Sequence, residues 1–284
     1  MRILLIKKPP VMKKILVPID FSETSVQAFR FAVRIADASI GEVHLLHVIE
    51  LPMLYDSKAV LSFEKAYMDD MKEKGELRMK KLVDKWAPDL GRVKYHFQFG
   101  KLQENIQRVA EATKADVIIV GTHGASGLRE LAIGSNAEKL VRNSDVPVIT
   151  VKKAPKEVKN IVFATIPDVS QEELTMRVKA LQTFFDAKLH VVFVNTPALF
   201  KTQAFIEDLF SKFAKRFMLK NYEFHVYNDI NEEAGIINFS KSINADMVVM
   251  RTHGRRGLAH ITSGSIAEDV VNHIECPVAT FRIK

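Results

Sequence analysis

The sequence predicts two tandem α/β domains, each built on a five-stranded, parallel, doubly wound sheet with helices on both faces. Three observations carry that prediction. The 284 residues are long for one domain and sufficient for two of ordinary size, each with its own core. Short apolar runs such as VIIV at 117–120 alternate with longer stretches of helical periodicity, as expected of strands buried on both faces. The chain also repeats itself. Ala115-Asp116 followed by VIIVGTHGASGLRELAIGS is matched without a gap by Ala245-Asp246 followed by MVVMRTHGRRGLAHITSGS.

The elements of the first copy follow in order. Residues 15–19 form a strand, and Ser22 caps a helix whose apolar positions Val26, Phe29, Val33 and Ala36 fall at helical spacing. Residues 43–49 are the second strand, and a long charged helix runs to about Trp86. Strands at 93–97, 117–120 and 146–151 alternate with helices at 102–113 and 136–143. In the second copy NIVFATIPD at 160–168 answers KILVPIDFS at 14–22, KLHVVFV at 188–194 answers EVHLLHV at 42–48, and ECPVATF at 275–281 answers DVPVITV at 145–151. The offset is larger for the early segments than for the late ones, so the second copy is shorter between its second and third strands. KKAPKEVK at 152–159 is a charged, proline-bearing boundary. It sets the domains at 12–152 and 158–284, with residues 1–11 read as an extension ahead of the first strand.

Composition narrows the function classes. The net charge of +7 raises nucleic acid as a partner, but basic and acidic residues interleave along stretches such as KEKGELRMKKLVDK, with no aromatic interleaving for base stacking. That pattern is a solvated helix face, and no nucleic-acid partner is expected. No stretch approaches the roughly 20 apolar residues of a membrane span, and MRILLIKKPP has no signal-peptide cleavage pattern. A cytoplasmic protein is expected. Cys276, the single cysteine, reads as a packing residue. His44 and His190, at equivalent strand positions, read as structural, and no cluster with dedicated metal-ligand spacing stands out.

In a doubly wound sheet, ligands lie at the carboxyl ends of the strands where the strand order reverses. The glycines at 121 and 124 leave the fourth strand at that edge, and Gly134-Ser135 opens the next helix. A helix N-terminus presents unbonded N–H groups and a partial positive charge suited to phosphate. Glycines allow close backbone approach, and the Ser135 hydroxyl adds a donor. The loop is neither a GxxxxGK loop nor GxGxxG; by residue pattern alone a phosphate cradle and a plain turn both fit.

The spacing G-x2-G-x9-G-S, filled by Gly121, Gly124, Gly134 and Ser135, together with ILVPIDFSE at the first strand and LLHVIE at the second, resembles the universal stress protein family. The resemblance covers both halves. It implies a Rossmann-like or flavodoxin-like fold with strand order 3-2-1-4-5, and ATP binding, found in a subset of the family, at the junction of the first and fourth strands. Carried over by position, it implies that Asp20 and the backbone near Val48 contact adenine or ribose, Val120 and Gly121 line base and sugar, and Pro18 shapes the first strand's end. His123 and Gly124 would lie along the phosphates, with Gly134, Ser135 and Asn136 holding their tail, and Mg²⁺ is compatible as a bridging ion. The competing reading of Asp20 is a helix-capping carboxylate beside Ser22. The family also implies antiparallel pairing of last strands, here within one chain as a pseudo-dimer, with a homodimer of chains left open.

The second copy departs from the pattern. Arg251 stands at the position of Gly121, and Ile166, then Pro167-Asp168, at that of Asp20. A degenerate site is expected, able to hold at most an anion through Gly254, Arg255 or Arg256, Gly264 and Ser265. The leading functional expectation is a tandem universal stress protein, a stress-responsive regulator or interaction module with ATP in its N-terminal half. The alternatives are a nucleotide-free scaffold and a slow ATPase of the adenine-nucleotide α-hydrolase-like group. No catalytic residues are assigned, because hydrolysis needs a positioned base and a charge-stabilising cation, and Arg129 is the single basic residue of the first loop.

Overall fold

Alternating buried strands and helices close into one continuous ten-stranded sheet. The computed structural model describes residues 12–50, 58–123, 134–168, 171–252 and 266–282. In the first half the strands are β1 (Lys14–Pro18), β2 (Glu42–Ile49), β3 (Val93–Phe99), β4 (Val117–Gly121) and β5 (Val148–Val151). The helices are α1 (Glu23–Ser39), α2 (Lys58–Trp86), α3 (Leu102–Thr113) and α4 (Ser135–Asn143). The second half has β6 (Asn160–Ala164), β7 (Lys188–Asn195), β8 (Tyr222–Asn228), β9 (Met247–Thr252) and β10 (Val278–Arg282). Its helices are α5 (Glu172–Phe185), α6 (Gln203–Phe217), α7 (Glu232–Ser242) and α8 (Ile266–His273). The shortfall of the second copy falls mainly on one helix: α6 has 15 residues where α2 has 29.

The sheet order is β3-β2-β1-β4-β5-β10-β9-β6-β7-β8, so each half has the order 3-2-1-4-5. Pairing is parallel within each half and antiparallel where β5 meets β10. There Ile149 faces Ala279, Thr150 faces Val278 and Val148 faces Thr280. These are the repeat's own equivalent positions, exchanged across the seam. Strand residues alternate between two apolar layers, with Ile15, Val17, Ile161 and Phe163 on one face and Leu16, Val162 and Val248 on the other. The duplication also preserves a strand anchor. Asp116 Oδ2 accepts the Lys13 and Lys14 amides, and Asp246 Oδ2 those of Lys159 and Asn160.

Two local expectations shift. The fifth strand starts at Val148 rather than Val146, because Pro147 has no N–H to donate. Helix α1 buries more than one stripe: Ala28, Phe31, Ala32 and Ile35 join Phe29 and Ala36. The added side faces the connection between halves. Gln27 accepts the Ala154 amide, Arg34 donates to the Pro155 carbonyl, and Phe31 stacks on Phe185 with ring centroids 6.3 Å apart.

Candidate functional site

β1 and β4 pair side by side, and their outgoing connections lead to helices on opposite faces, α1 in one apolar layer and α4 in the other. That divergence opens a crevice at the strands' carboxyl ends. A cavity of about 340 Å³ lies there, and Pro18, Asp20, Val48, Val120, Gly121, His123, Gly134, Ser135 and Asn136 all line it. Gly124, predicted beside them, lies outside the described residues. Ile19, Ser25, Glu50, Leu102, Thr122 and Ala137 line the cavity as well and were missed. Glu50 carried a usable signal, since it lies just past the end of β2 as Asp20 lies just past the end of β1. Leu102 carried none, because its place depends on how α3 returns over the sheet.

The turn after β1 is built around a left-handed residue. Phe21 has φ 67°, an unusual conformation for a bulky side chain, and it lets Asp20 fold back on the first turn of α1. Asp20 Oδ1 accepts the Ser22 amide at 3.0 Å and the Ser22 hydroxyl at 2.6 Å, while Ser22 Oγ accepts the Ser25 amide as the helix cap. The same turn grips the loop after β4: the Thr24 hydroxyl donates to the His123 carbonyl at 2.5 Å, and Ser22 Oγ lies 3.2 Å from the same oxygen. Gly121 makes this approach possible. A Cβ there would stand 2.6 Å from both the Ser25 nitrogen and the Thr24 carbonyl carbon. The glycine therefore serves the approach of α1, a role different from the ligand approach expected of it.

The opposite wall is the start of α4. Its N-cap, Gly134, has no side chain to bond the first amides, so the N–H groups of the first turn have no intrahelical partner. Ser135, Asn136 and Ala137 of that turn line the cavity. His123 faces the same space; Thr122 Oγ1 holds its Nδ1 at 2.9 Å. Its Nε2 is buried and has no hydrogen-bond partner among the described residues, a costly state unless something else bonds it. The carboxylates stand apart from these donors. Glu50 Oε1 accepts the Leu102 amide at 3.0 Å and so fixes the start of α3. Nearby, His47 Nδ1 lies 2.7 Å from the Ile19 carbonyl, and burial is the main cause that pushes its pKa below the ordinary histidine value.

Among the described residues, the second half departs from this geometry at two positions. Pro167 stands where Phe21 takes a positive φ, and a proline ring excludes that conformation. Arg251 stands where Gly121 admits the helix, and its Nε is buried without a partner among the described residues. Accordingly α5 begins at Glu172, whereas the counterpart of α1's first residue is position 169. Gly254, Arg255, Arg256, Gly264 and Ser265, expected to form an anion site, lie outside the described residues, as does Arg129.

The two strand histidines have like surroundings. His44 Nδ1 lies 2.9 Å from His96 Nε2, and His190 Nδ1 lies 3.1 Å from His225 Nε2. Desolvation heads the causes that lower the pKa of His96, His190 and His225. Cys276 is partly buried, and burial pushes its thiol up to about 12, so it is a poor nucleophile at neutral pH.

A family model described as the universal stress protein family matches residues 12–152 and 220–282. Universal stress protein MJ0531 of Methanocaldococcus jannaschii is 37% identical over 147 residues, which cover 51% of this chain and 85% of that protein. Universal stress protein MJ0577 of the same organism is 33% identical over 155 residues, covering 50% and 95%. Among solved structures, a universal stress protein from Archaeoglobus fulgidus DSM 4304 shares the fold over 95% of this chain and 98% of its own, with a TM-score of 0.73 and 21% identity.

Proposed function

The chain belongs to the universal stress protein family, and from that premise we propose that its N-terminal half, residues 12–152, binds ATP in the β1–β4 crevice. The second domain, residues 158–284, acts as its structural partner. The observation that carries the reading is the α4 terminus: its first-turn amides lack a side-chain cap, and Ser135, Asn136 and Ala137 line the same cavity as His123, whose buried Nε2 has no partner among the described residues. An anion there would satisfy these donors together. Each charge-assisted hydrogen bond contributes about 1.5–3 kcal/mol. Among the described lining residues there is no lysine or arginine, so amide and imidazole dipoles would carry the phosphate recognition. Pro18, Val48, Leu102 and Val120 supply apolar walls for the adenine, and the Asp20 and Glu50 carboxylates suit ribose hydroxyls. Gly124 would extend the phosphate contact, and Mg²⁺ would bridge the phosphates rather than sit in a protein cage.

The role that follows is a nucleotide-loaded regulatory or interaction module in the stress response. The seam between β5 and β10 supports an intramolecular pseudo-dimer, because each half covers the other's last-strand edge. No helix is long and apolar enough to cross a membrane among the described residues, and a cytoplasmic setting is part of the proposal. One observation favours the scaffold alternative: Asp20 is already bonded to Ser22 and the His123 carbonyl to α1, so the crevice is held without a ligand.

Isothermal titration separates the two. With ATP, the nucleotide reading predicts one site per chain, lost in Gly121→Ala and retained in Arg251→Ala. No heat in the wild type at millimolar ATP, or equal binding in both variants, would overturn it.

A further inference from the structure

The second half carries a side-chain cluster that the crevice does not use. His190 on β7 stands opposite Glu223 on β8 in register, and His225 follows two positions later on the same face. His190 Nδ1 and His225 Nε2 are 3.1 Å apart, and Glu223 Oε2 lies 3.7 Å from each. We propose that His190, Glu223 and His225 form a site for a divalent transition-metal ion of the zinc class, with a fourth position open to water.

The spacing suits such an ion. Ligand distances of about 2.0–2.1 Å in a tetrahedral site separate the ligand atoms by roughly 3.3 Å, close to the triangle formed here. Small movements of the half-exposed Glu223 close the difference. The surroundings fix which atoms face inward. Asn160 Oδ1 can only accept, so His190 Nε2, 3.2 Å away, carries the proton and Nδ1 presents its lone pair to the cluster. Lys188 Nζ bonds Glu223 Oε1, which leaves Oε2 towards the histidines. Partners of this kind orient metal ligands from behind. His225 packs against the Phe239 ring at 4.7 Å between centroids, and metal binding requires its proton to sit on Nδ1 with the imidazole neutral. Two imidazoles and one carboxylate favour zinc, cobalt, nickel or copper over magnesium or calcium.

The first half is an internal comparison. It has the same histidine pair, His44 and His96, but Lys94 occupies the position of Glu223 and the carboxylate has moved to Glu42. Glu42 bonds His44 Nε2, the nitrogen opposite the one facing His96. The groups there form a line, whereas in the second half they converge. Exchanging acid and base between neighbouring strands has turned a hydrogen-bonded chain into three groups around one point. This departs from the structural role expected of His190.

The test uses full-length protein stripped with a chelator, titrated with cobalt(II) by visible absorption and with zinc(II) against a chromophoric chelator. The expected result is an equivalent of metal with strong d–d bands. Glu223→Gln and His225→Gln should each weaken zinc binding by roughly tenfold or more, and His96→Gln should leave it unchanged. Nitrogen NMR of the wild-type imidazoles, which needs no substitution, should show zinc shifting His190 Nδ1 and His225 Nε2. Absence of binding at micromolar metal overturns the proposal. So does binding that survives both variants, or zinc shifts confined to other histidines.

Discussion

At the scale of single residues, Phe21 and Gly121 build the crevice of the first half, and Pro167 and Arg251 stand at their positions in the second. Gly121→Ala forces its Cβ against the backbone of α1, which cannot yield as a side-chain tip would. Overpacking of this kind costs about 1–3 kcal/mol, and urea denaturation should show a loss in that range. Glu42 gives a second residue-scale prediction. Hydrogen bonds from Lys94 and His44 hold its carboxyl down at about 2. A lowered carboxyl pKa adds stability above the unfolded value near 4.3, and that stability disappears as pH falls towards the folded value. Glu42→Gln should therefore melt below the wild type at pH 6, with the gap narrowing as pH falls from about 5 towards 2. Asp20 and Gly121 could be placed from sequence because both end strands. The grip of Ser22 and Thr24 on the His123 carbonyl could not, since it joins residues about a hundred positions apart through a glycine whose neighbour is a helix.

At the scale of elements, the seam is held by side chains as well as by backbone. Besides the β5–β10 pairing, Arg142 on α4 donates two bonds to Glu268 on α8, at 2.9 and 2.8 Å. Glu268 is buried while Arg142 is part exposed, so losing the arginine removes two charge-assisted bonds from a desolvated carboxylate. Solvent access on the arginine side moderates the penalty, and Arg142→Ala should destabilise by about 1–3 kcal/mol in chemical denaturation. The order of strands and helices was legible from apolar runs and repeats, and the fifth strand's start was displaced by Pro147 alone. The full buried surface of α1 was not legible, because besides its own sheet it meets α5 through Phe31 and the linker through Gln27 and Arg34, partners that no periodicity within α1 identifies.

The whole molecule should resist acid poorly. His47, His96, His190 and His225 all have pKa values lowered chiefly by burial. For a base with a lowered folded pKa the unfolded chain binds protons first, so stability is full above the unfolded value of about 6.5 and declines below it. The melting temperature should fall from pH 7 to pH 5, before most carboxylates titrate. The pseudo-symmetric frame gives both halves this histidine chemistry, while the turn after β1 and position 121 differ between them. The most direct measurement is amide and imidazole NMR of isotope-labelled full-length protein during addition of ATP. The account predicts saturable shifts at His123, Ser135, Asn136 and Ala137, with the start of α8 unmoved. Saturating ATP that leaves those four resonances in place, or moves the α8 terminus instead, would contradict it.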